Sequence, residues 1–316
     1  MRIFVTGATG FAGSHLVDLL LDEGHEIYTL IHRATSHQPL PSHKKFHILE
    51  GDLLILDGLI DAVKSCLPDA IIHLAGQASP GQSWRDPAKT IAINTGGTAN
   101  VLEASLRAGK PRTIIVTSAQ IYGHLNADSL PITEEVTPDP GHPYGISKWA
   151  ASRLVKLYHD RYELPVVEAR PFNHIGPRQA KGFVVPDFAS QLAAIKTGLQ
   201  EPLIQVGNLS VERDFTDVRD VVKAYRLLVN FGKTGEPYLV CSGRPVVIQQ
   251  LLDMLIEIAG IEVRIEDDPK LMRKLETPRI FGSYAKLEKD TGWRPQISLH
   301  QSLADAFVEW ERKLAS

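Results

Sequence analysis

Short apolar runs alternate with longer helical patterns through the first half of the chain. The runs are RIFVT, EIYTLI, KFHIL, AIIHLAG, PRTIIVTS and LPVVEARPF, and they are rich in Ile, Val and Leu. Between them, stretches such as FAGSHLVDLLLDEGH repeat leucines at helical spacing. Strands with nearly continuous apolar sequence are buried on both faces, and strands that alternate with helices form parallel sheets. The pattern predicts an α/β fold with a doubly wound parallel sheet.

The second half of the chain differs from the first, because its predicted elements are shorter and proline and glycine are more frequent. We predict that residues 1–169 form the sheet domain and that residues 170–316 form a smaller α/β domain. Some of the chain after residue 169 is expected to return to the sheet.

Three glycines, Gly7, Gly10 and Gly13, lie between the first predicted strand and the first predicted helix, in TGATGFAG. Glycines at these places allow a tight turn and let a pyrophosphate approach the helix N-terminus. Unpaired N–H groups and the helix dipole favour an anion there. This strand–turn–helix context predicts a dinucleotide site that includes the intervening Phe11 and Ala12.

The residues after the second strand indicate which dinucleotide binds. NAD sites place an acidic residue there for the ribose 2′-hydroxyl, whereas NADP sites place an arginine for the 2′-phosphate. Residues 27–49 contain no Asp or Glu, and EIYTLI runs directly into His32 and Arg33. Arg33 therefore favours NADP(H), with NAD(H) as the alternative. Asp52, which follows the third predicted strand and precedes Leu53, is placed to accept a hydrogen bond from the adenine amino group. The alternative is that Arg33 and Asp52 are solvated loop residues without a ligand.

PYGISK places Tyr144 and Lys148 four residues apart at the start of a predicted helix, so both lie on one face. An ammonium beside a phenol stabilises the phenolate and lowers its pKa, which suits acid–base catalysis. The same lysine can hold the nicotinamide ribose. Ser118 ends the fifth strand, where ligands of such sheets bind, and its hydroxyl can bond to the reacting carbonyl. We predict that these three residues are catalytic; a packed tyrosine beside a surface lysine is the alternative.

Composition argues against several other classes of protein. A net charge of −3 gives no basic surface for nucleic acid or for an acidic membrane. No apolar run approaches the roughly 20 residues needed to span a bilayer. MRIFVTGATG lacks the apolar core of a signal peptide, so a cytoplasmic location is expected. Cys66 and Cys241 are far apart in the sequence, and neither lies in a cluster of metal-ligand residues. We therefore expect buried thiols in a reducing compartment and no metal site.

Several motifs together resemble the extended short-chain dehydrogenase/reductases that act on nucleotide sugars as epimerases, dehydratases or reductases. These motifs are TGATGFAGSHL, HLAGQAS, INTGGTANVLEA, TSAQIYG, PYGISK and RPFNHIGPRQ, and they extend over essentially the whole chain. The resemblance implies a Rossmann domain in residues 1–169, a substrate-binding domain in residues 170–316, and the catalytic group already described. It also implies a homodimer formed through two helices of each subunit, including SKWAASRLVKLYHDRY. The cofactor-lining residues that it implies are Leu74, Ala75, Gly76 and Gln77.

The same resemblance implies the residues that bind the substrate. Asn173 matches the family asparagine that meets the substrate diphosphate, and Arg213 and Arg273 match arginines that bind it. Surface ion pairing is the alternative for each arginine. Within the family, the chain most resembles the GDP-4-keto-6-deoxy-mannose reductases, which reduce a 4-ketosugar with NADPH or NADH. Arg178 and Lys181 depart from that pattern near the expected sugar site.

Gln120 bears on whether such an enzyme can act as a dehydratase. The dehydratases that the chain resembles carry a glutamate two residues before the Tyr-Gly of TSAQIYG, and that glutamate removes the C5 proton. Gln120 stands there instead, and an amide oxygen cannot take a proton at a useful pH. This argues against a dehydratase but does not separate a reductase from an epimerase, since epimerases also lack that glutamate. The cofactor preference indicated by Arg33 and the match around Asn173 favour a reductase. We therefore predict an NADP(H)-dependent reductase of a 4-keto-6-deoxy sugar nucleotide, with GDP-4-keto-6-deoxy-D-mannose as substrate and Gln120 in the substrate site. Packing beneath the loop is the alternative role of Gln120.

Two other enzymes and one non-enzyme are the alternatives. A nucleotide-sugar 4-epimerase would hold NAD tightly, and an acidic residue after the second strand would favour it. A GDP-mannose 4,6-dehydratase would need a base other than Gln120. A redox sensor on the same fold would have no use for Ser118, Tyr144 and Lys148.

Overall fold

The computed structural model describes residues 1–32, 40–123, 127–272 and 277–315. Within these ranges the strands, in chain order, are β1 (Arg2–Thr6), β2 (Glu26–Ile31), β3 (Phe46–Glu50), β4 (Ala70–His73), β5 (Arg112–Val116), β6 (Val166–Pro171), β7 (Asn173–Ile175), β8 (Leu203–Val206), β9 (Glu212–Asp217), β10 (Pro237–Val240), β11 (Pro245–Val247), β12 (Arg264–Asp267) and β13 (Arg279–Ile280). The helices are α1 (Phe11–Asp22), α2 (Leu56–Cys66), α3 (Pro80–Arg85), α4 (Pro87–Ile91), α5 (Gly97–Arg107), α6 (Pro143–Tyr162), α7 (Val184–Lys196), α8 (Val218–Phe231), α9 (Ile248–Ala259), α10 (Ala285–Thr291) and α11 (Leu299–Ala315). A π-helical turn, Ala92–Gly96, joins α4 to α5.

Seven strands form one sheet in the order β10-β6-β5-β4-β1-β2-β3. Every neighbouring pair in it is parallel. The six apolar runs of the first half supply β1 to β6. Helices cover both faces, so the predicted doubly wound parallel sheet is confirmed.

Alternate residues of β1 show why the strands are apolar on both sides. Ile3 and Val5 belong to a core that also contains residues of α1 and α8. Phe4, between them, belongs to a second core built with α2 and α5. Because successive side chains point to opposite faces, a strand between two helical layers must be apolar at every position.

The second half of the chain also contributes to this sheet. β10 pairs with β6, placing Tyr238 opposite Ala169, and α8 packs on the same face as α1. The predicted boundary at residue 169 falls within β6. The division into domains of residues 1–169 and 170–316 stays a prediction.

A further core lies among α7, α9 and α11. Beside it are two small sheets: β8 pairs with β12, while β9 pairs with β7, β11 and β13. β7 follows β6 after a single residue, so the small sheet containing β9 is tied directly to the end of the large one.

Three further features bear on what the fold can do. No helix in the described part of the chain combines the length and the apolar character needed to cross a membrane. The described residues also contain no group of three or more His, Cys, Asp or Glu side chains arranged to hold a metal ion. Cys66 and Cys241 are both buried free thiols.

Candidate active site

The order of the strands explains how residues far apart in sequence meet. The glycine turn follows β1, Leu74–Gln77 follows β4, Ser118 follows β5, and Asn173 follows β6. β1, β4, β5 and β6 are neighbours and parallel, so their carboxyl ends lie along one edge of the sheet. Ligands of open α/β sheets bind at that edge.

The glycine turn is packed too closely for side chains. Gly7 has a φ of +76°, and a Cβ there would lie 2.6 Å from the backbone nitrogen of Ala75. A Cβ at Gly13 would lie 1.9 Å from the carbonyl oxygen of Gly7. Gly10 is the N-cap of α1, whose first turn contains no acidic residue. The turn therefore leaves a helix N-terminus open to an anion, and this fits a dinucleotide pyrophosphate.

Asn94 fixes the segment that follows β4. Its amide oxygen accepts from the backbone N–H of Gln77 at 2.8 Å, and its amide nitrogen donates to the Gln77 carbonyl at 3.1 Å. The same nitrogen donates to Ser147 Oγ at 2.9 Å, which ties this segment to α6. A Cβ at Gly76 would lie 2.8 Å from the Asn94 oxygen, so the close approach requires glycine. Asn94 was not predicted as a site residue, although it lies within INTGGTANVLEA; in the structure it belongs to a π-helical turn, a feature common at functional sites.

Asp52 and Leu53 occupy the loop after β3. The Asp52 carboxylate accepts from the backbone N–H of Leu54 at 2.9 Å and so stabilises its own turn. The Leu53 side chain packs on Gly97, at the start of α5. The predicted contact of Asp52 with adenine stays a prediction.

Ser118, Tyr144 and Lys148 come together at the end of β5. All three side chains are buried, and the Tyr144 hydroxyl is hydrogen-bonded to Ser118. The Lys148 ammonium donates to the Val116 carbonyl oxygen at 3.0 Å. The Ser118 hydroxyl oxygen also accepts from the backbone N–H of Gln120 at 3.1 Å. Helix α6 thus carries a phenol and an ammonium to the strand that presents the serine.

Burial dominates the electrostatics of this group. It lowers the pKa of the Lys148 ammonium to about 8, while the negative charge of Glu168 opposes the shift. Burial also raises the pKa of the Tyr144 phenol, and the hydrogen bond with Ser118 opposes that rise. A lowered pKa was predicted for Tyr144, and that prediction is wrong, because the cost of a buried phenolate outweighs the stabilisation available to it.

Glu168 and Arg170 form a buried ion pair behind this group. The Arg170 guanidinium donates to both Glu168 oxygens, at 3.0 and 2.9 Å. Thr117 donates to one of these oxygens at 2.6 Å and Ser152 to the other at 2.9 Å. The pair therefore joins β6 to the end of β5, next to Ser118, and to α6.

Gln120 lies beside Ser118 and contacts the start of α6. Its amide oxygen is 3.0 Å from Nε2 of His142, the residue immediately before α6. The other ring nitrogen of His142, Nδ1, accepts from the backbone N–H of Gly145 at 3.0 Å. His142 could not be predicted from the sequence, because spacing along the chain gives no sign of a contact between a strand-end loop and a helix cap.

Of the residues predicted to bind the substrate diphosphate, the structure describes Asn173 and Arg213. The Asn173 amide donates to the Asp214 carbonyl at 3.1 Å, and Arg213 donates to the carbonyls of Glu212 and Pro278 at 2.8 and 3.4 Å. Asn173 pairs with Phe215, so these residues share the small sheet containing β9. Arg33 and Arg273 both lie outside the described residues.

The loop after β7 closes onto α1. His174 stacks on Phe11 with ring centroids 5.6 Å apart, and His15 Nε2 donates to the Pro177 carbonyl at 2.9 Å. Arg178 pairs with Asp18 of α1 at 2.6 Å. Arg178 therefore has a partner on the helix that follows the glycine turn.

Comparison with known proteins identifies the family. The family described as GDP-mannose 4,6 dehydratase matches residues 4–306. The chain belongs to the GDP-mannose 4,6-dehydratase family. The resemblance predicted from the motifs, to extended short-chain dehydrogenase/reductases acting on nucleotide sugars, is thus confirmed.

Proteins that are similar to this chain include both reductases and epimerases. The GDP-6-deoxy-D-mannose reductase of Pseudomonas aeruginosa is 40% identical, over 99% of this chain and 98% of that protein. The structure of RMD from Pseudomonas aeruginosa complexed with NADPH matches with a TM-score of 0.86 and 39% identity, covering 99% of both chains. The Thermus thermophilus UDP-glucose 4-epimerase complex with NAD matches with a TM-score of 0.88 and 28% identity, covering 98% of this chain and 99% of that one.

Proposed function

We propose that the protein is an NADP(H)-dependent oxidoreductase that reduces the 4-keto group of a nucleotide-activated 4-keto-6-deoxy sugar. The substrate we propose is GDP-4-keto-6-deoxy-D-mannose and the product a GDP-6-deoxyhexose. The observation that carries the proposal is the amide of Gln120 beside the buried group of Ser118, Tyr144 and Lys148. This group serves hydride chemistry at C4, whereas an amide cannot act as the base of an elimination. The identity to the Pseudomonas aeruginosa reductase over nearly the whole of both chains supports the same reaction.

The cofactor would be held at the edge formed by the ends of β1 and β4. The backbone of Gly7, Gly10 and Gly13 would take the pyrophosphate, with the segment Leu74–Gln77 along the dinucleotide. When bound, NADP(H) supplies the hydride that adds to C4. Arg33 is the residue that we propose for the 2′-phosphate, and the structure solved with NADPH supports NADP(H). The epimerase solved with NAD makes NAD(H) the second candidate.

The chain's own residues would handle the proton. The Tyr144 hydroxyl would donate its proton to the C4 oxygen as the carbonyl becomes an alcohol, and solvent would later reprotonate the phenolate. The Lys148 ammonium would stabilise that phenolate and hold the nicotinamide ribose. The Ser118 hydroxyl would hold the C4 oxygen. The hydrogen bond from Gln120 N–H to Ser118 Oγ supports this role, because it leaves the serine proton to be donated.

On the substrate side we propose Asn173, Arg213 and Arg273 for the diphosphate. The bonds of Asn173 and Arg213 to backbone carbonyls support a role in which both side chains are held in place before the substrate binds. Gln120 would contact the sugar.

A panel of nucleotide ketosugars tests the proposal. The purified protein is incubated with GDP-, dTDP- and UDP-linked 4-ketosugars while NADPH absorbance is followed. We expect NADPH to be consumed in equal amount to a GDP-4-keto-6-deoxy sugar, and no ketosugar to form from GDP-mannose. Ketosugar appearing from GDP-mannose without net change in the cofactor would identify a dehydratase. Interconversion of 4-epimers without NADPH consumption would identify an epimerase.

We also propose a homodimer, formed through α6 and its neighbouring helices. Leu157 of α6 is 53% exposed, and Trp84 of α3, which packs against α6, is 66% exposed. Large apolar groups on adjoining helices suit a protein interface. The proposed location is cytoplasmic, and the buried free thiols of Cys66 and Cys241 support it, because a reducing compartment preserves thiols.

A further inference from the structure

His142 caps helix α6 in an unusual way. Helix N-caps are most often Ser, Thr, Asp or Asn, whose side-chain oxygen accepts from a backbone N–H of the first turn. Here the imidazole Nδ1 of His142 accepts the N–H of Gly145 instead, at 3.0 Å. The capped turn contains Tyr144. The His142 side chain therefore helps to hold the turn that carries the proposed proton donor.

This cap determines the tautomer of His142. A ring nitrogen that accepts an N–H must carry a lone pair, so Nδ1 is unprotonated and the proton of the neutral ring is on Nε2. Nε2 lies 3.0 Å from the side-chain oxygen of Gln120. Nε2–H must donate, so the atom of Gln120 that faces it must be the acceptor. The amide of Gln120 is thus oriented by a hydrogen-bond sequence that starts at the backbone of Gly145.

The amide nitrogen of Gln120 then lies on the side away from His142. Over the described ranges, the structure gives this nitrogen no hydrogen-bond partner, and the side chain is partly exposed. The backbone N–H of Gln120 is bound to Ser118 Oγ, and the His142 ring stacks nearly parallel to Tyr144, with centroids 6.0 Å apart and an angle of 11°. His142 and Gln120 thus both border the proposed catalytic group.

We propose that His142 is a positioning residue that fixes the Gln120 amide, so that position 120 presents an N–H donor to an oxygen of the sugar. The proposal rests on the proposed function, because it takes the sugar to bind beside Ser118 and Tyr144. His142 acts through Gln120 and through the first turn of α6. Its two tasks are separable, since serine can cap a helix but is too short to reach Gln120.

A nitrogen spectrum tests the tautomer without any substrate. Protein labelled with nitrogen-15 in histidine is compared with His142→Ser, which assigns the two ring signals by their loss. We expect one signal of a protonated Nε2 and one of an unprotonated Nδ1. In Gln120→Ala, which removes the acceptor, the Nε2 signal should move while the Nδ1 signal stays. A protonated Nδ1 in the wild-type protein would overturn the proposal, whether or not the protein reduces a ketosugar.

Steady-state kinetics test whether His142 affects ketosugar reduction through Gln120. We expect His142→Ser to keep the thermal unfolding temperature of the wild type and to lose about 10-fold in kcat/KM with the ketosugar, the effect of one misplaced hydrogen bond. In a Gln120→Ala background the same substitution should change kcat/KM less than about 2-fold, because the residue through which it acts is gone. His300→Ser, an exposed histidine on α11, is the matched control and should leave kcat/KM unchanged.

Two results would overturn this action. One is unchanged kcat/KM in His142→Ser, and the other is a full loss that multiplies with that of Gln120→Ala. If His142→Ser unfolds early, His142→Asn supplies a second cap that cannot reach Gln120, and the same comparison is made with it. Failure of the wild-type protein to reduce any ketosugar would count against the proposed function alone, and the nitrogen spectrum would still decide the role of His142.

Discussion

Tyr144 is the residue whose substitution should lower turnover most directly. Tyr144→Phe keeps the packing of the ring and removes the hydroxyl that bonds to Ser118. We expect kcat for ketosugar reduction to fall by about 100-fold or more, since the proton donor is gone, while the affinity for NADPH changes little. Steady-state kinetics and a cofactor titration measure the two effects. Tyr162→Phe, at the exposed end of the same helix, is the control, and turnover of Tyr144→Phe within a few-fold of wild type would contradict the assignment.

The pKa of Lys148 should set the upper end of the pH range in which the protein reduces its substrate. Burial lowers this pKa to about 8, so the ammonium loses its proton as the pH rises through that value. The phenol of Tyr144 keeps its proton in the same range, because burial raises its pKa. We therefore expect kcat/KM for reduction to decline above a pH of about 8 through loss of the Lys148 charge. A pH–rate profile that stays flat well beyond this value would show that the ammonium is not required.

Arg33 should decide between the two dinucleotides. Its assignment comes from sequence alone, because it lies outside the described residues. Arg33→Glu should weaken NADPH binding by about 2 to 3 kcal/mol, through loss of a charge-assisted bond and added repulsion of the 2′-phosphate. NADH has no such phosphate and serves as the internal control in fluorescence titrations. Equal weakening of both cofactors would place Arg33 away from the adenosine ribose.

Strand β6 depends on its buried ion pair. The side chains of Glu168 and Arg170 are 4% and 7% exposed, so Glu168→Gln would leave a buried guanidinium without its counter-charge. We expect the free energy of unfolding to fall by about 3 to 5 kcal/mol. Glu236→Gln is the matched control, because the Glu236–Lys286 pair is 49% and 27% exposed and should contribute less than about 1 kcal/mol. Urea denaturation compares the two variants, and equal losses would show that the pair does not stabilise β6.

The sequence predicted those elements that have a local signature. The first six strands are readable because a parallel strand covered on both faces must be apolar throughout. Tyr144 and Lys148 are readable because a spacing of four residues fixes their common face on α6. The partnership of β10 with β6 is not readable in this way, since four apolar residues carry no information about a partner about 70 positions earlier.

The site was predictable only where function follows from residue type. Ser118, Tyr144 and Lys148 have side chains whose chemistry suggests a role, and the structure brings them together. Asn94 and His142 are placed by contacts with Gln77, Ser147, Gly145 and Gln120, which lie on other elements or across a helix cap. Such contacts exist only once the sheet order has been set. The raised pKa of Tyr144 also depends on burial, which composition and spacing do not give.

Over the whole molecule, the proposed dimer makes a prediction about mass in solution. Leu157→Arg replaces an exposed apolar side chain of α6 by a charge and should convert the dimer into single chains, because an unpaired charge buried at an interface is costly. Leu199→Arg is the control, since Leu199 is 66% exposed and lies in the turn after α7. Light scattering after size exclusion measures both. A wild-type protein with the mass of one chain, or a Leu157→Arg dimer, would contradict the proposed interface.

The return of β10 to the large sheet also has a consequence during synthesis. A nascent chain that has not yet extended past Pro237 cannot close the outer side of β6, whose backbone N–H and C=O groups on that side await β10. An open strand of this kind is a template for pairing with other chains. Ribosome-stalled or truncated products that end between β6 and β10 should therefore aggregate, and they should rely on chaperones more than the finished chain does.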